Sequence, residues 1–236
     1  MEIPIYLALF SSEFHACQNL PLHPGWMACH FSSAGDGLTN IPMTLPPGSL
    51  LIVDDSIPYQ NHSCDLIVSQ LSEAISTLKP DAVLLDFQRP NVDEIQSLTN
   101  MIVSHLPCPV VVSSCYAEVL DCPIFLPPAP LWQPLEEYLK PYQGRPVWLD
   151  AAPASAQIIV TQDSSRYIPI PNEIMTEKWH FDAALHCHYH IKIEESQIIF
   201  TLSRSGSDLV PWFEQAQQLG VSSIVGLYQD FKDILY

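Results

Sequence analysis

The 236-residue chain is 47% hydrophobic and only 15% charged, which is enough apolar material to bury a core and excludes wholesale disorder. Nine basic against 26 acidic side chains leave a formal charge of −17, spread without like-charge blocks, so phosphate backbones and anionic lipid are repelled and neither nucleic acid nor a membrane surface is expected as a partner. No apolar run reaches the roughly 18 residues of a bilayer span, and the stretch from Met1-Glu2-Ile3 lacks the basic flank and cleavage site of a secretory signal, so a cytoplasmic location is expected.

Short apolar runs bounded by polar or turn residues read as buried parallel strands. In chain order they are Ile5–Phe10, Trp26–Phe31, Leu50–Asp54, Ala82–Phe87, Val110–Ser113, Val147–Asp150, Ile198–Leu202 and Ser223–Tyr228. Between them Leu66, Ile67, Leu71, Ala74, Ile75 and Leu78 recur at helical spacing, as do Ile95, Leu98, Ile102 and Leu106 behind Asn91 as N-terminal cap. A third helix spans Ser207–Gly220, with Leu209, Phe213, Ala216 and Leu219 on one face and Gly220 placed to end it.

Strands alternating with helices give a parallel α/β architecture. Eight strand candidates favour an irregular (β/α)8 TIM-like barrel over a doubly wound sheet, with residues 1–236 forming one domain. Many of the 22 prolines, Pro42, Pro46, Pro47, Pro127, Pro128, Pro130 and Pro134 among them, predict irregular loops in place of some helices. A small antiparallel insertion is also expected. Leu185–Ile193 and Ile198–Leu202 flank Glu194–Gln197 as a β-hairpin, beside a second extended pair at Gln157–Gln162 and Arg166–Ile170.

Seven cysteines (Cys17, Cys29, Cys64, Cys108, Cys115, Cys122 and Cys187) are odd in number and include no C-x-x-C pair. That argues against a disulfide framework and a structural zinc site, leaving mostly buried thiols. In a β/α barrel a ligand sits at the carboxyl ends of the strands. Those ends carry Asp54 and Asp55, Asp86 with Gln88, Ser113 and Ser114, Asp150, and Tyr228 with Gln229 and Asp230, a set of acceptors and donors suited to a polyhydroxylated ligand. Trp132, in the proline-rich loop, is the aromatic side chain most suited to stacking on a sugar. Cys115, after Ser113-Ser114, reads as a nucleophile only if a histidine lies nearby, and otherwise as an inert thiol.

The segment Asp81-Ala82-Val83-Leu84-Leu85-Asp86-Phe87-Gln88 resembles the fourth strand of family 18 glycoside hydrolases, the chitinase-like barrels, which bears Asp-Gly-x-Asp-x-Asp-x-Glu. Asp81 and Asp86 match the first and last aspartates, whereas Ala82, Leu84 and Gln88 replace the glycine, the middle aspartate and the acid. The resemblance extends to the last helix and strand, and Val147-Trp148-Leu149-Asp150 retains the aspartate of the family's Met-x-Tyr-Asp. It implies a sugar or oligosaccharide site in which Asp86 and Gln88 face one way, lined also by Asp54, Asp55, Asp150, Tyr228, Gln229 and Trp132. An amide has no proton to deliver to a leaving oxygen, so standard chitinase activity is not expected. The alternatives are an active hydrolase recruiting Asp54, Asp55, Asp150 or Asp230, and a metal-dependent enzyme using His186, His188 and His190, which alternate on one strand and would share a face. No cofactor and no resident metal are expected on the leading reading.

Overall fold

The computed structural model describes residues 3–17, 19–60, 63–90, 92–117, 120–171 and 179–235. Eight parallel strands close on themselves: β1 (Ile5–Leu9), β2 (Pro24–Phe31), β4 (Leu50–Asp54), β5 (Ala82–Asp86), β6 (Val110–Ser113), β7 (Ile124–Leu126), β8 (Val147–Ala151) and β14 (Val221–Leu227). β1 pairs with both β14 and β2, which closes the cylinder. The two-residue β3 (Leu38–Thr39) adds antiparallel to the outer end of β2. The barrel expected from alternating strands and helices is therefore present, with one strand exchanged.

The exchanged strand is instructive. Ile124–Leu126 is the sixth barrel strand, three residues between Pro123 and Pro127 that offer too little alternation to be read as a strand. Ile198–Leu202 lies outside the barrel. It belongs to β13 (Gln197–Arg204), within an antiparallel sheet inserted between β8 and β14. That sheet runs in the order β10 (Ser165–Ile170), β9 (Ala154–Thr161), β13, β12 (Cys187–Ile193) and β11 (His180–Asp182). The two expected extended pairs are both real, and they join edge to edge through β9 and β13.

Helices cover the barrel where the sequence supplies apolar faces. α1 (Ser11–Ala16) follows β1. α2 (Cys64–Leu78) is capped by Ser63, whose side chain accepts from the Leu66 amide, and buries Ile67, Leu71, Ala74, Ile75 and Leu78. α3 (Asp93–His105) buries Ile95, Leu98 and Ile102; Asn91, its expected cap, lies outside the described residues. The short α4 (Leu135–Leu139) follows the proline-rich loop after β7. α5 (Gly206–Gln218) starts with a reciprocal Ser205–Asp208 capping box and buries Leu209, Phe213 and Ala216, whereas Leu219 stays 36% exposed as its C-cap. α6 (Tyr228–Leu235) folds straight back from β14. Gly226 permits this: a β-carbon there would sit 2.8 Å from the Ala151 carbonyl oxygen and collide with the buried Phe231 ring.

Two apolar layers result from the period-2 alternation of each strand. Tyr6, Leu50, Ile52, Ala82, Leu84, Val111, Phe125, Trp148 and Val225 fill the lumen, with Tyr6 and Trp148 stacked at 5.0 Å. Val83, Leu85 and Phe87 face outward into the larger layer beneath the helices. All seven cysteines are unpaired, with Cys29, Cys122 and Cys187 buried and Cys115 exposed. Among the described residues no helix is long and apolar enough to cross a membrane.

Candidate functional site

The lumen parity that buries Ala82 and Leu84 continues to Asp86, so its carboxyl emerges at the carboxyl-terminal mouth. Asp54 follows Leu50 and Ile52 in the same way, and Asp54 and Asp86 are direct partners in the β4–β5 register. Asp54 also holds its own turn, accepting from the Ser56 amide at 2.8 Å.

Asp55 has a different task from the one expected. It is 4% exposed, and its two carboxylate oxygens accept from the Gln88 amide at 3.1 Å and the Arg89 amide at 2.9 Å. Arg89 returns two bonds, from Nε and one terminal nitrogen to the carbonyls of Asp55 and Ser56, each at 3.0 Å. Asp55 therefore clamps the ends of β4 and β5 together and fixes where Gln88 leaves the strand. Its oxygens are occupied, as those of a buried carboxylate must be.

Held by that clamp, Gln88 projects an exposed side chain whose Nε2 donates to Asp86 Oδ1 at 3.0 Å. The pair opens into a cavity of about 220 Å³, shared with Ser113, Ser114, Cys115, Phe125 and Pro127. Ser113 donates to the Phe87 carbonyl at 2.6 Å, tying β6 to β5. Phe125 and Pro127 were invisible from sequence because the strand that carries them was; the flanking prolines around an Ile-Phe-Leu run were the available signal.

Asp150, on what the sixth strand makes the seventh, approaches from across the lumen. Burial pushes its carboxyl up to about 7, assisted by the negative charge of Asp86 and, less, of Asp230. Burial likewise raises Asp86, opposed by the Gln88 hydrogen bond and reinforced by Asp54 and Asp55. Asp230, in the first turn of α6, is raised by burial alone. The mouth thus gathers carboxyl groups that ionise reluctantly, beside a neutral amide and two hydroxyls.

The other expected residues fall elsewhere. Tyr228 opens α6 and packs against the outer core, while Leu227 takes the lumen side. Gln229 is exposed on the same helix. Trp132 is 51% exposed on the loop after β7, where it faces the inserted sheet. The histidine triplet does not lie on one strand. His186 precedes β12 with a left-handed φ of 47°, leaving only His188 and His190 on the strand, and among the described residues no three metal-ligating side chains converge. His188 instead meets Asp208 at 3.3 Å.

The molecule is thus a closed β/α barrel with an antiparallel sheet inserted before its last strand and a small pocket at its carboxyl-terminal mouth. Solved structures share this fold. A family 18 N-acetylglucosaminidase from Paenibacillus barengoltzii superposes with a TM-score of 0.62 over 98% of this chain and 97% of that one, at 9% identity. A family 18 chitinase from Cycas revoluta, in complex with (GlcNAc)3, gives 0.58 over 98% and 96%, also at 9% identity. The spore cortex-lytic enzyme SleL of Bacillus cereus gives 0.54 over 95% of this chain and 70% of that one, at 9% identity. No protein-family model matches the sequence, and no curated protein matches it. The chitinase-like resemblance drawn from Asp81–Gln88 is borne out in the fold, and that segment lies on the fourth barrel strand.

Proposed function

We propose that this chain is a carbohydrate-binding barrel of chitinase-like fold that seats a sugar, or a similarly hydroxylated ligand, at its mouth without standard chitinase chemistry. The observation that carries the reading is the Gln88–Asp86 pair opening into the 220 Å³ cavity. Paired amide and carboxyl groups read hydroxyls and acetamido groups in fixed geometry. The volume falls below the roughly 300–1,000 Å³ of drug-sized pockets and so suits one ring of a longer ligand. The net charge of −17 disfavours nucleic acid and anionic membranes as partners. Unpaired thiols favour a reducing, cytoplasmic setting.

Calorimetry with N-acetylglucosamine oligomers tests the proposal. Binding heat is expected from the parent and at least tenfold weaker affinity from Asp86→Ala, the cost of a lost charge-assisted contact. Absence of heat with every amino-sugar oligomer would remove the proposal.

One observation favours a second reading, hydrolysis by a different acid. A carboxyl near 7, as at Asp150, is half protonated at neutral pH and suits general acid work. Turnover of a chromogenic N-acetylglucosaminide that survives Gln88→Ala and disappears in Asp150→Asn would establish it; no turnover by the parent would dismiss it.

A further inference from the structure

The register of the inserted sheet sorts its side chains by charge. Alternation puts Arg166, paired with Ile159, and Lys192, paired with Ile199, on one face. The other face carries Phe200 beside Ile158 and Tyr189 beside Leu202, and there Asp182 pairs with Cys187 at the edge strand. On this second face lies a hollow of about 450 Å³, lined by the rings of Trp132, Tyr189 and Phe200, by Ile158 and Leu202, and by Asp182. Asp182 is fixed in place by its own turn, its Oδ1 accepting from the Ala184 amide at 2.9 Å and the Leu185 amide at 3.1 Å. Arg204 reaches the Leu185 carbonyl at 2.8 Å, but it is 3% exposed, donates also to the carbonyls of His186 and Ala129, and lies over Trp212, so it is engaged inside the fold.

We propose that this hollow binds a small organic cation, a quaternary or alkylated ammonium, with its methyl groups against the three rings and its charge near Asp182. The faces of aromatic rings attract a cation through their quadrupole, and several rings around one hollow suit a cation whose surface is alkyl. Asp182 adds a formal charge of the matching sign, which a hollow built for a neutral apolar ligand has no use for. The volume lies within the roughly 300–1,000 Å³ of small-molecule sites. The net charge of −17 draws cations toward the surface and repels anions, which disfavours an acidic peptide or an anionic headgroup as occupant. The site stands on these residues alone and does not depend on the sugar reading of the barrel mouth.

The probes are choline and 3,3-dimethylbutan-1-ol, which have the same shape and differ by a carbon in place of the charged nitrogen. Binding to the full chain is read by NMR from the indole N–H resonance of Trp132, identified by its loss in Trp132→Phe, at pH 8, where an ordinary imidazole is neutral. The parent is expected to prefer choline about tenfold, the combined scale of an exposed ion pair and a cation against ring faces. Asp182→Asn keeps an oxygen for the Ala184 and Leu185 amides, so the turn survives; it should cut the preference about threefold. Tyr189→Leu keeps an apolar wall and should weaken choline about threefold while changing the alcohol less. Equal affinities for the two probes, no response of the Trp132 resonance to choline, or a preference that both variants leave intact would overturn the proposal. Sedimentation with phosphatidylcholine vesicles that Tyr189→Leu abolishes would assign the same chemistry to a lipid headgroup and overturn the choice of a free cation.

Discussion

The two concave regions of this protein are built in opposite ways. The mouth is made where strands end: Asp54 and Asp86 stand side by side in register, and Asp55 pins the chain so that Gln88 leaves β5 toward the cavity. Its cavity is small, with Asp86 and Gln88 set beside Phe125 and Pro127, and burial raises the carboxyl groups of Asp86 and Asp150. The inserted sheet offers mid-strand side chains instead. One row of its register reads Tyr167, Ile158, Phe200 and Ile191 across four strands, and the next reads Ser165, Val160, Ile198 and Ile193. An inner row of Ala156 and Leu202 is covered by Leu131, but Ile191 and Ile193 stay 43% and 77% exposed. A polar site arises where backbone pairing stops and leaves side chains to be positioned by turns. An apolar site arises where pairing continues but its cover runs out.

That contrast can be broken or sharpened by measurement, and the largest effect belongs to the mouth. The folded-state carboxyl of Asp150 lies near 7, well above the roughly 3.9 of an unfolded aspartate. Its contribution to stability is therefore fully present below pH 4 and is lost as pH rises through 7, by at most about 4 kcal/mol. Asp150→Asn should unfold later than the parent in urea at pH 8 and lose that advantage at pH 4; an equal shift at both values would show that Asp150 ionises freely. Asp55→Ala should cost about 3 kcal/mol, because two partly buried amides lose a charged acceptor, and should weaken binding at the mouth. A cost below about 1 kcal/mol would mean that the clamp is replaceable.

The sheet should respond less. Leu202→Ala, beneath Leu131, is expected to cost about 2 kcal/mol, the lower end for a buried leucine. Ile193→Thr, on the uncovered row, should change urea stability by under about 0.5 kcal/mol. A large loss there would mean that the face is covered in solution and that the comparison with the mouth is drawn wrongly.

Much of the barrel was legible because its strands are long enough to display their period. Leu50–Asp54 and Val110–Ser113 coincide with β4 and β6, and the helical stripe from Ile67 to Leu78 is the buried face of α2, with Leu66 left 40% exposed. Gln88 and Asp86 could be placed together because alternation fixes direction within a strand. Asp55 could not be separated from Asp54 that way. Its partners lie 33 and 34 positions away, and adjacent acids before a turn look alike until the neighbouring strand is in place. His186 likewise continues the alternation on paper, but a left-handed residue at the strand entrance ends the pattern.

By itself the sequence determined the period of most elements, the side to which their side chains point, and the place of Gln88 two residues after Asp86 on one strand face, since all three are local properties of the chain. Only tertiary structure decided that Ile124–Leu126 completes the cylinder while Ile198–Leu202 pairs outside it. It also decided that the negative charge of Asp86 lies close enough to raise Asp150 and that Trp132 and Tyr167 line one hollow. Pairing, burial and Coulomb coupling depend on distances through space, and those distances exist only once the cylinder has closed.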